Sequence, residues 1–396
     1  MTANNSSDNA ASPPAAKLGW DRISRMLVNL PFGRQPDPAG WQIPLLQVRQ
    51  ADEPDPELAE RLAAAFYRAI NEGGSQGDGL WRSMRLTYHG AILDVLEARD
   101  FEALAELLAG FFYAPVSAGL CSRHADDNLA AQDPMTRLLA VDVVVSLGTA
   151  LGLRPRANPA VPDPPNVFEL DIEAQLEAIG DKLGWDLLPP QVGGLAGLPF
   201  RGQIIPLKYL YQVYAAHRLQ AIAGGHISSC LEIGGGVGFL GYFCASNGIV
   251  RDYTIIDLPL VNLLQGYLLL RSDVADRVEL FGESSQATTD SPRLRVFPDI
   301  AIGKLADKSV TMAINQDSFP EMDHNTMTRY LGEIVRIAES HLLSINHESA
   351  QQVSDTFSHG CVHTAAKTVP GLEQLSRTPS WLRPGYVEEV FCIRAG

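Results

Sequence analysis

A chain of 396 residues with 46% hydrophobic and 19% charged residues can bury a large core and has the size of two domains rather than one. Its formal net charge of -15 argues against the basic surface that phosphate backbones require, so DNA and RNA are not expected partners. The five cysteines are scattered without a CxxC pair, which argues against a cysteine-based zinc or redox motif and fits a reducing cytoplasm.

Residues 1–17 are polar and proline-containing, without the basic start and apolar stretch of a secretory signal, and read as a disordered tail. Residues 18–165 read as a helical domain. Apolar side chains recur at helical spacing through Leu58, Leu62, Ala65, Phe66, Ala69 and Ile70, and again from Ile92 and Leu96 to Leu104 and Leu108. The apolar run 138–153 is interrupted by Asp142 and is too short to cross a bilayer, so it predicts a buried helix and no membrane partner. Five prolines within 154–165 mark a stiff connection and a domain boundary.

Residues 166–225 are expected to connect the halves and cover a substrate, with a helix over 168–183, a Gly/Pro-rich loop over 189–202 and a tyrosine-rich helix over 207–223. From residue 226 to 396, short β-rich runs alternate with helical patterns, which predicts a mostly parallel sheet covered on both faces. Strands are expected over 229–233, 253–256, 309–314 and 342–345, each followed by a helix. Between 277 and 298 both RVELF and RLRVF qualify as the third strand, and the choice stays open. The stretch 386–394 predicts a closing antiparallel strand.

The most informative stretch runs from Cys230 to Gly238, an apolar strand entering glycines and then a helix. Glycines there supply backbone angles closed to other residues and let a ligand approach the main chain. Glu232, just before the turn, is an expensive residue for a buried strand end unless a cationic or donor-rich ligand meets it. Asp257 follows about twenty residues after Gly238, at the end of the next strand, where a carboxylate can accept both hydroxyls of a ribose. Its plain alternative is a loop aspartate before Pro259.

Two ligand classes fit this geometry. Gly236-Val-Gly-Phe-Leu-Gly241 matches the dinucleotide fingerprint, with Asp257 as its acid. A pyrophosphate would be disfavoured by Glu232, however, whereas the sulfonium of S-adenosylmethionine carries positive charge and no phosphate. Gly241 then serves helix packing on the sheet.

With EIGGGVG and IIDLP in place, this half resembles the class I S-adenosylmethionine-dependent methyltransferases, whose first motif is matched by Glu232, Gly234, Gly236 and Gly238. The run Asn315-Gln-Asp-Ser-Phe-Pro-Glu-Met322, followed by Ser344-Ile-Asn-His-Glu348, resembles the bacterial sugar O-methyltransferase family. The resemblance covers roughly residues 195 to 396. It implies an α/β, Rossmann-like domain, a mostly parallel sheet with a C-terminal antiparallel strand, preceded here by a mainly helical domain. It also implies S-adenosylmethionine held by Glu232, Gly234, Gly235, Gly236, Gly238, Asp257, Leu258, Asn315 and Gln316. The acceptor is then a small polar molecule, a sugar or specialised metabolite.

Proton transfer needs a group at a strand end only if the acceptor must lose a proton. His347 is the expected general base for a hydroxyl acceptor, with Glu321 and Asp317 as further candidates. Asp317 or Glu321 serves equally well as a cap for a helix beginning near Asp323. Asp317, Glu321, Asp323 and His347 together could hold a divalent cation, but solvated loop acids are the simpler reading, so no metal site is assigned. His359 and His363 fall in a loop before the last strand, and His124, Asp126 and Asp127 form a loop cluster without a ligand pattern. Tyr209, Tyr211 and Tyr214 are packing residues or close over the site, and the helical half also offers a homodimer interface. A nicotinamide oxidoreductase and a noncatalytic binding subunit are the alternative functions.

Overall fold

The computed structural model describes residues 24–29, 44–112, 114–120, 134–156, 170–283, 291–349, 352–354 and 357–394. The expected tail, the His124, Asp126 and Asp127 cluster and most of the proline segment lie outside them. After a short strand β1 (Gln47–Val48) come helices α1 (Pro56–Asn71), α2 (Gly79–Tyr88), α3 (Gly90–Ala98), α4 (Phe101–Ala109), α5 (Pro134–Ala150) and α6 (Ile172–Leu183). Asp55 starts α1 by accepting the Leu58 N–H at 3.0 Å, with Pro56 preset for the first turn. The left-handed Arg99 and the Asp100 cap split the second apolar pattern into α3 and α4. Asp142, 1% exposed within α5, is satisfied by the Val28 and Asn29 backbone N–H groups, each at 2.8 Å.

The Gly/Pro-rich stretch expected to be a loop contains a hairpin, β2 (Ala196–Phe200) and β3 (Gln203–Ile205), which joins β1 in a small antiparallel sheet. Its turn residues Arg201 and Gly202 both have positive φ, 50° and 72°, as a two-residue hairpin turn requires. Gly197 permits the strands to meet, since a Cβ there would lie 2.0 Å from the Ile205 carbonyl oxygen. Helix α7 (Leu207–Ala223) then leads into the large sheet.

The remaining elements are β4 (Ile227–Ile233), α8 (Phe239–Ser246), β5 (Val250–Asp257), α9 (Pro259–Leu270), β6 (Val278–Leu280), β7 (Arg293–Pro298) and β8 (Val310–Gln316). They continue with α10 (His324–Ile337), β9 (Ala338–His347), β10 (Gln352–Ser354), β11 (Phe357–Ser358), α11 (Val362–Ala366), β12 (Leu372–Pro379) and β13 (Tyr386–Ile393). Eight strands form one sheet in the order β12-β13-β9-β8-β4-β5-β7-β6. All neighbours from β9 to β6 are parallel, and β13 runs antiparallel to both β9 and β12. This is an α/β, Rossmann-like architecture. Both candidates for the third strand are in it: RLRVF supplies β7 beside β5, and RVELF supplies the edge strand β6. The last parallel strand, β9, is followed by the β10/β11 hairpin and the five-residue α11 rather than by a full helix, which corrects the sequence expectation there.

The chain moves outward from β4 through β5 to the edge strand β6, returns to β7 between them, then crosses to β8 on the other side of β4. Open sheets bind ligands at such a reversal, outside the carboxyl ends of the strands. The helical half packs there. Leu62 of α1, Ile92 of α3 and Leu104 of α4 share one apolar core with Leu263 and Tyr267 of α9. Full burial of a side chain such as Leu62 stabilises by about 1.5–3 kcal/mol. The opposite face of the sheet is covered by α10, through Met327, Leu331 and Ile334. Among the described residues no helix is long and apolar enough to cross a membrane.

Candidate functional site

At the end of β4 the backbone enters a left-handed turn, with φ of 73° at Gly234, 58° at Gly236 and 90° at Gly238. Gly238 begins α8, and its N–H bonds the Gly235 carbonyl at 2.9 Å. The glycines differ in what they permit. A Cβ on Gly234 would lie 2.1 Å from Ser318 Oγ, and one on Gly235 would lie 2.7 Å from Ile255 Cγ2, whereas one on Gly236 would meet nothing within 4 Å. Gly234 and Gly235 therefore serve close packing, and Gly236 keeps the wall open to a ligand. Gly234→Ala is expected to cost stability by about 1–2 kcal/mol from left-handed strain alone, with the Ser318 clash added. A thermal melt checks this, and an unchanged midpoint would contradict it. Gly241 faces Ile255, Leu294 and Tyr253 on the sheet, as helix packing requires.

The turn forms one wall of a cavity of about 1250 Å³, its open mouth included. Glu232, Gly234, Gly235, Gly236, Asp257 and Leu258 all line it. Gly238 does not, and acts by starting α8. Asp257 accepts the Leu258 N–H at 2.8 Å and the Gln265 side-chain N–H at 2.7 Å, and burial pushes its carboxyl up to about 7. Glu232 is 3% exposed, accepts the Tyr253 hydroxyl at 3.1 Å, and is pushed by burial up to about 8. The acidic lining of the cavity extends through Asp78, Asp299, Asp317 and Glu321, with Lys208 and Arg329 as its basic residues.

At the end of β8 the expected cofactor residues separate. Asn315 is fully buried behind the wall: its side-chain N–H groups reach the Ile233 carbonyl at 2.8 Å and Ser318 Oγ, and its Oδ1 accepts from Asn346 at 2.9 Å. It ties β4, β8 and β9 together and does not line the cavity, which corrects its expected role as a ligand contact. Gln316 does line it, is 7% exposed, and its Oε1 has no hydrogen-bond partner among the described residues. A buried acceptor left unmet is costly, and a ligand donor would satisfy it.

Asp317 adopts a φ of 69° and is ion-paired with Arg383, whose guanidinium lies 3.5 Å from the Tyr386 ring centroid and 4.9 Å from that of Tyr211. Glu321 faces the cavity, accepts the Trp81 indole N–H at 3.0 Å, and is pushed by burial and by Asp317 up to about 7, against the pull of Lys208. Neither residue caps the following helix. That role belongs to Asp323, which accepts the Thr326 N–H at 2.8 Å.

His347 is not brought to the cavity. Its residue on β9 pairs with Tyr386 on β13, and the imidazole stacks edge-on against His359 at 4.7 Å and Tyr386 at 5.7 Å. Burial and His359 hold it below the ordinary histidine range. The antiparallel neighbour thus covers the strand end that sequence spacing leaves open. Asp317, Glu321, Asp323 and His347 go to separate partners, and among the described residues no group of three or more His, Cys, Asp or Glu side chains is placed to hold a metal ion. His363 bonds Glu389 at 3.1 Å. Tyr209 and Tyr214 are packed, their hydroxyls on the Leu188 carbonyl and Glu388, while Tyr211 lies under Arg383.

The far wall comes from the helical half, which the sequence left without site residues, and from the connecting segment expected to cover a substrate. The glycine-broken loop before α2 contributes Ser75, Gly77 and Asp78, α2 contributes Trp81, and α7 contributes Lys208 and Gln212. Ser75 N–H anchors that loop to Asp299 at 3.0 Å, across from the end of β7. The Gly-Gly-Ser-Gln-Gly-Asp-Gly run from Gly73 to Gly79 was the available sign, since so many glycines between two helices mark a special turn.

No protein-family model matches the chain, and no curated protein matches it. Among solved structures, it is similar to the N-methyltransferase NodS from Bradyrhizobium japonicum WM9 in complex with S-adenosyl-L-homocysteine. The identity is 13% and the TM-score 0.32, over 47% of this chain and 88% of that one. A SAM-dependent methyltransferase from Aquifex aeolicus is similar at 12% identity and a TM-score of 0.31, over 46% and 92% of the two chains. Magnesium protoporphyrin IX methyltransferase (ChlM) from Synechocystis PCC 6803 with bound SAH is similar at 12% identity and a TM-score of 0.32, over 48% and 83%. At such scores the likeness assigns no function to this chain.

Proposed function

We propose that the chain is an S-adenosylmethionine-dependent methyltransferase acting on a hydroxyl oxygen of a small acceptor. The observation that carries this reading is the acidic lining of the cavity: a phosphate-free, positively charged ligand, which favours the ionised forms of Glu232 and Asp257, suits a glycine turn flanked by them, and a pyrophosphate does not. Gly236 would let the cofactor lie against the backbone, Asp257 would accept from its ribose hydroxyls, and Gln316 Oε1 would meet a donor.

When bound, S-adenosylmethionine supplies the methyl group, its S–C bond breaking as the O–C bond to the acceptor forms and the neutral sulfide leaves. The chain's own residues do the rest. Trp81 and Lys208 close the side opposite the glycine turn, which positions the acceptor and excludes water. Glu321, half ionised near pH 7, takes the hydroxyl proton onto a carboxylate oxygen. A carboxyl held near neutrality inside the cavity favours turnover over a noncatalytic binding role.

Calorimetric titration of the full chain with S-adenosylhomocysteine and with NAD separates the two cofactor classes. Binding of S-adenosylhomocysteine and not NAD is expected, and the reverse result would overturn the proposal.

A further inference from the structure

A second cavity of about 1230 Å³, its mouth included, adjoins the first behind α2. Ser75, Trp81 and Leu258 line both, so the indole of Trp81 stands between them. The new chamber is walled by α1, α2, α3 and the start of α9, chiefly through apolar side chains such as Phe66, Ile70, Leu93, Leu96 and Val261. Helix α2 is unusual in this chain because none of its residues is fully buried, although Trp81 and Arg85 point its inner side at this chamber. Short helices are held mainly by the packing of one face. Here only Trp81 packs against the core, and the face beside it borders the chamber.

Most polar side chains of the chamber are engaged: Arg85 donates to Gln76, Ser75 Oγ accepts the Gly77 N–H, and Tyr67 donates to the Leu96 carbonyl. His89 is 2% exposed and its Nε2 has no hydrogen-bond partner among the described residues, and the same holds for Arg85 Nε. Burial and the Arg85 charge push the imidazole down to about 4, so it is neutral at physiological pH and exchanges a single hydrogen bond at Nε2. A sugar would bring several hydroxyls to a wall whose polar side chains are largely engaged already, and each hydroxyl left unmet costs about 1–3 kcal/mol. A ring system with one or two polar substituents meets both the apolar wall and the lone imidazole.

We propose that this chamber holds the apolar ring body of the methyl acceptor, an aromatic or fused-ring compound whose hydroxyl reaches past Trp81 to Glu321. The inference rests on the methyl-transfer reading of the first cavity and names the class of acceptor. His89, whose ring centroid lies 6.0 Å from that of Trp81, hydrogen-bonds a substituent of the ring body, and the filled chamber adds to the packing of α2.

The test uses the full chain with 1-naphthol as the ring probe, glucose as the sugar probe and S-adenosylhomocysteine as the cofactor probe. Calorimetry is expected to show one-to-one binding of 1-naphthol and none of glucose. Leu93→Trp fills the chamber without touching the first cavity, and should weaken 1-naphthol by about tenfold or more while S-adenosylhomocysteine affinity stays within about twofold. A crystal soaked with 4-bromo-1-naphthol gives a reading independent of any variant: a bromine peak between Trp81, Leu93 and His89 is expected. A peak elsewhere, no peak, or 1-naphthol affinity unmoved in a folded Leu93→Trp protein overturns the chamber assignment and leaves the methyl-transfer reading standing. Failure of the parent protein to bind S-adenosylhomocysteine overturns that reading and the acceptor assignment with it.

Discussion

Glu321→Gln should slow single-turnover methyl transfer by about a hundred- to ten-thousand-fold, the usual cost of losing a general base. Glutamine has nearly the same shape and keeps an oxygen that can accept the Trp81 N–H, so the wall of the cavity is preserved while the proton acceptor is lost. S-adenosylhomocysteine affinity is expected to be unchanged. The parent rate should rise as pH climbs through about 7, where Glu321 ionises, and then level off. The variant should lack that rise. His347→Asn serves as the contrast, because its imidazole is packed on His359 and Tyr386 away from the cavity, and its rate should match the parent's. A folded Glu321→Gln protein with the parent rate and pH profile would move the base elsewhere.

Local chemistry explains why the glycine-turn wall of the cavity was legible in the sequence and the opposite wall was not. Glu232, the glycines and Asp257 belong to consecutive elements, and each has a backbone or electrostatic oddity visible without tertiary structure: a carboxylate ending an apolar strand, glycines needing positive φ, an acid at a strand end. The parallel strands were legible for the same reason, since burial on both faces leaves continuous apolar runs. Strand β12 carries no such mark because almost its whole length is exposed, so LEQLSRTP reads as a loop. The β2/β3 hairpin hides behind Gly197 and Pro199, residues that usually signal irregular chain but here fit a tight backbone approach.

His347 and Asn315 show a different limit. Both sit at carboxyl ends of parallel strands, where residues meet ligands, yet what faces them is decided by elements distant in sequence. The antiparallel β13 covers His347 with Tyr386, and the amides of Asn315 and Asn346 turn toward each other. Trp81 reaches the cavity because α1, α3 and α4 share a core with α9, and Lys208 because Tyr209 packs α7 onto Phe239 and Phe243 of α8, contacts no local pattern encodes.

Cofactor affinity is expected to depend on pH in a way that identifies Asp257. In the ligand-free protein burial pushes this carboxyl up to about 7, so below that pH the folded state holds the acid form. A ribose hydroxyl donates best to the ionised form, so binding must first release the proton. S-adenosylhomocysteine affinity should therefore rise by about tenfold per pH unit between roughly pH 5 and 7 and flatten above it, if Asp257 alone is coupled. Glu232, pushed up to about 8, would extend the rise if the ligand's ammonium group also requires it ionised. Asp257→Ala should lose about 1–3 kcal/mol of binding at pH 8 and also the pH dependence below 7. Folding stability moves the opposite way. The stability contributed by the raised pKa is fully present below the unfolded value near 4 and is lost as pH rises through about 7, so Asp257→Ala should lose less stability at pH 8 than at pH 5. Titrations in two buffers of different ionisation enthalpy count the protons released, and thermal melts at both pH values test the second half. An affinity flat from pH 5 to 8 in the parent, or a full pH dependence retained by Asp257→Ala, would remove Asp257 from the ribose.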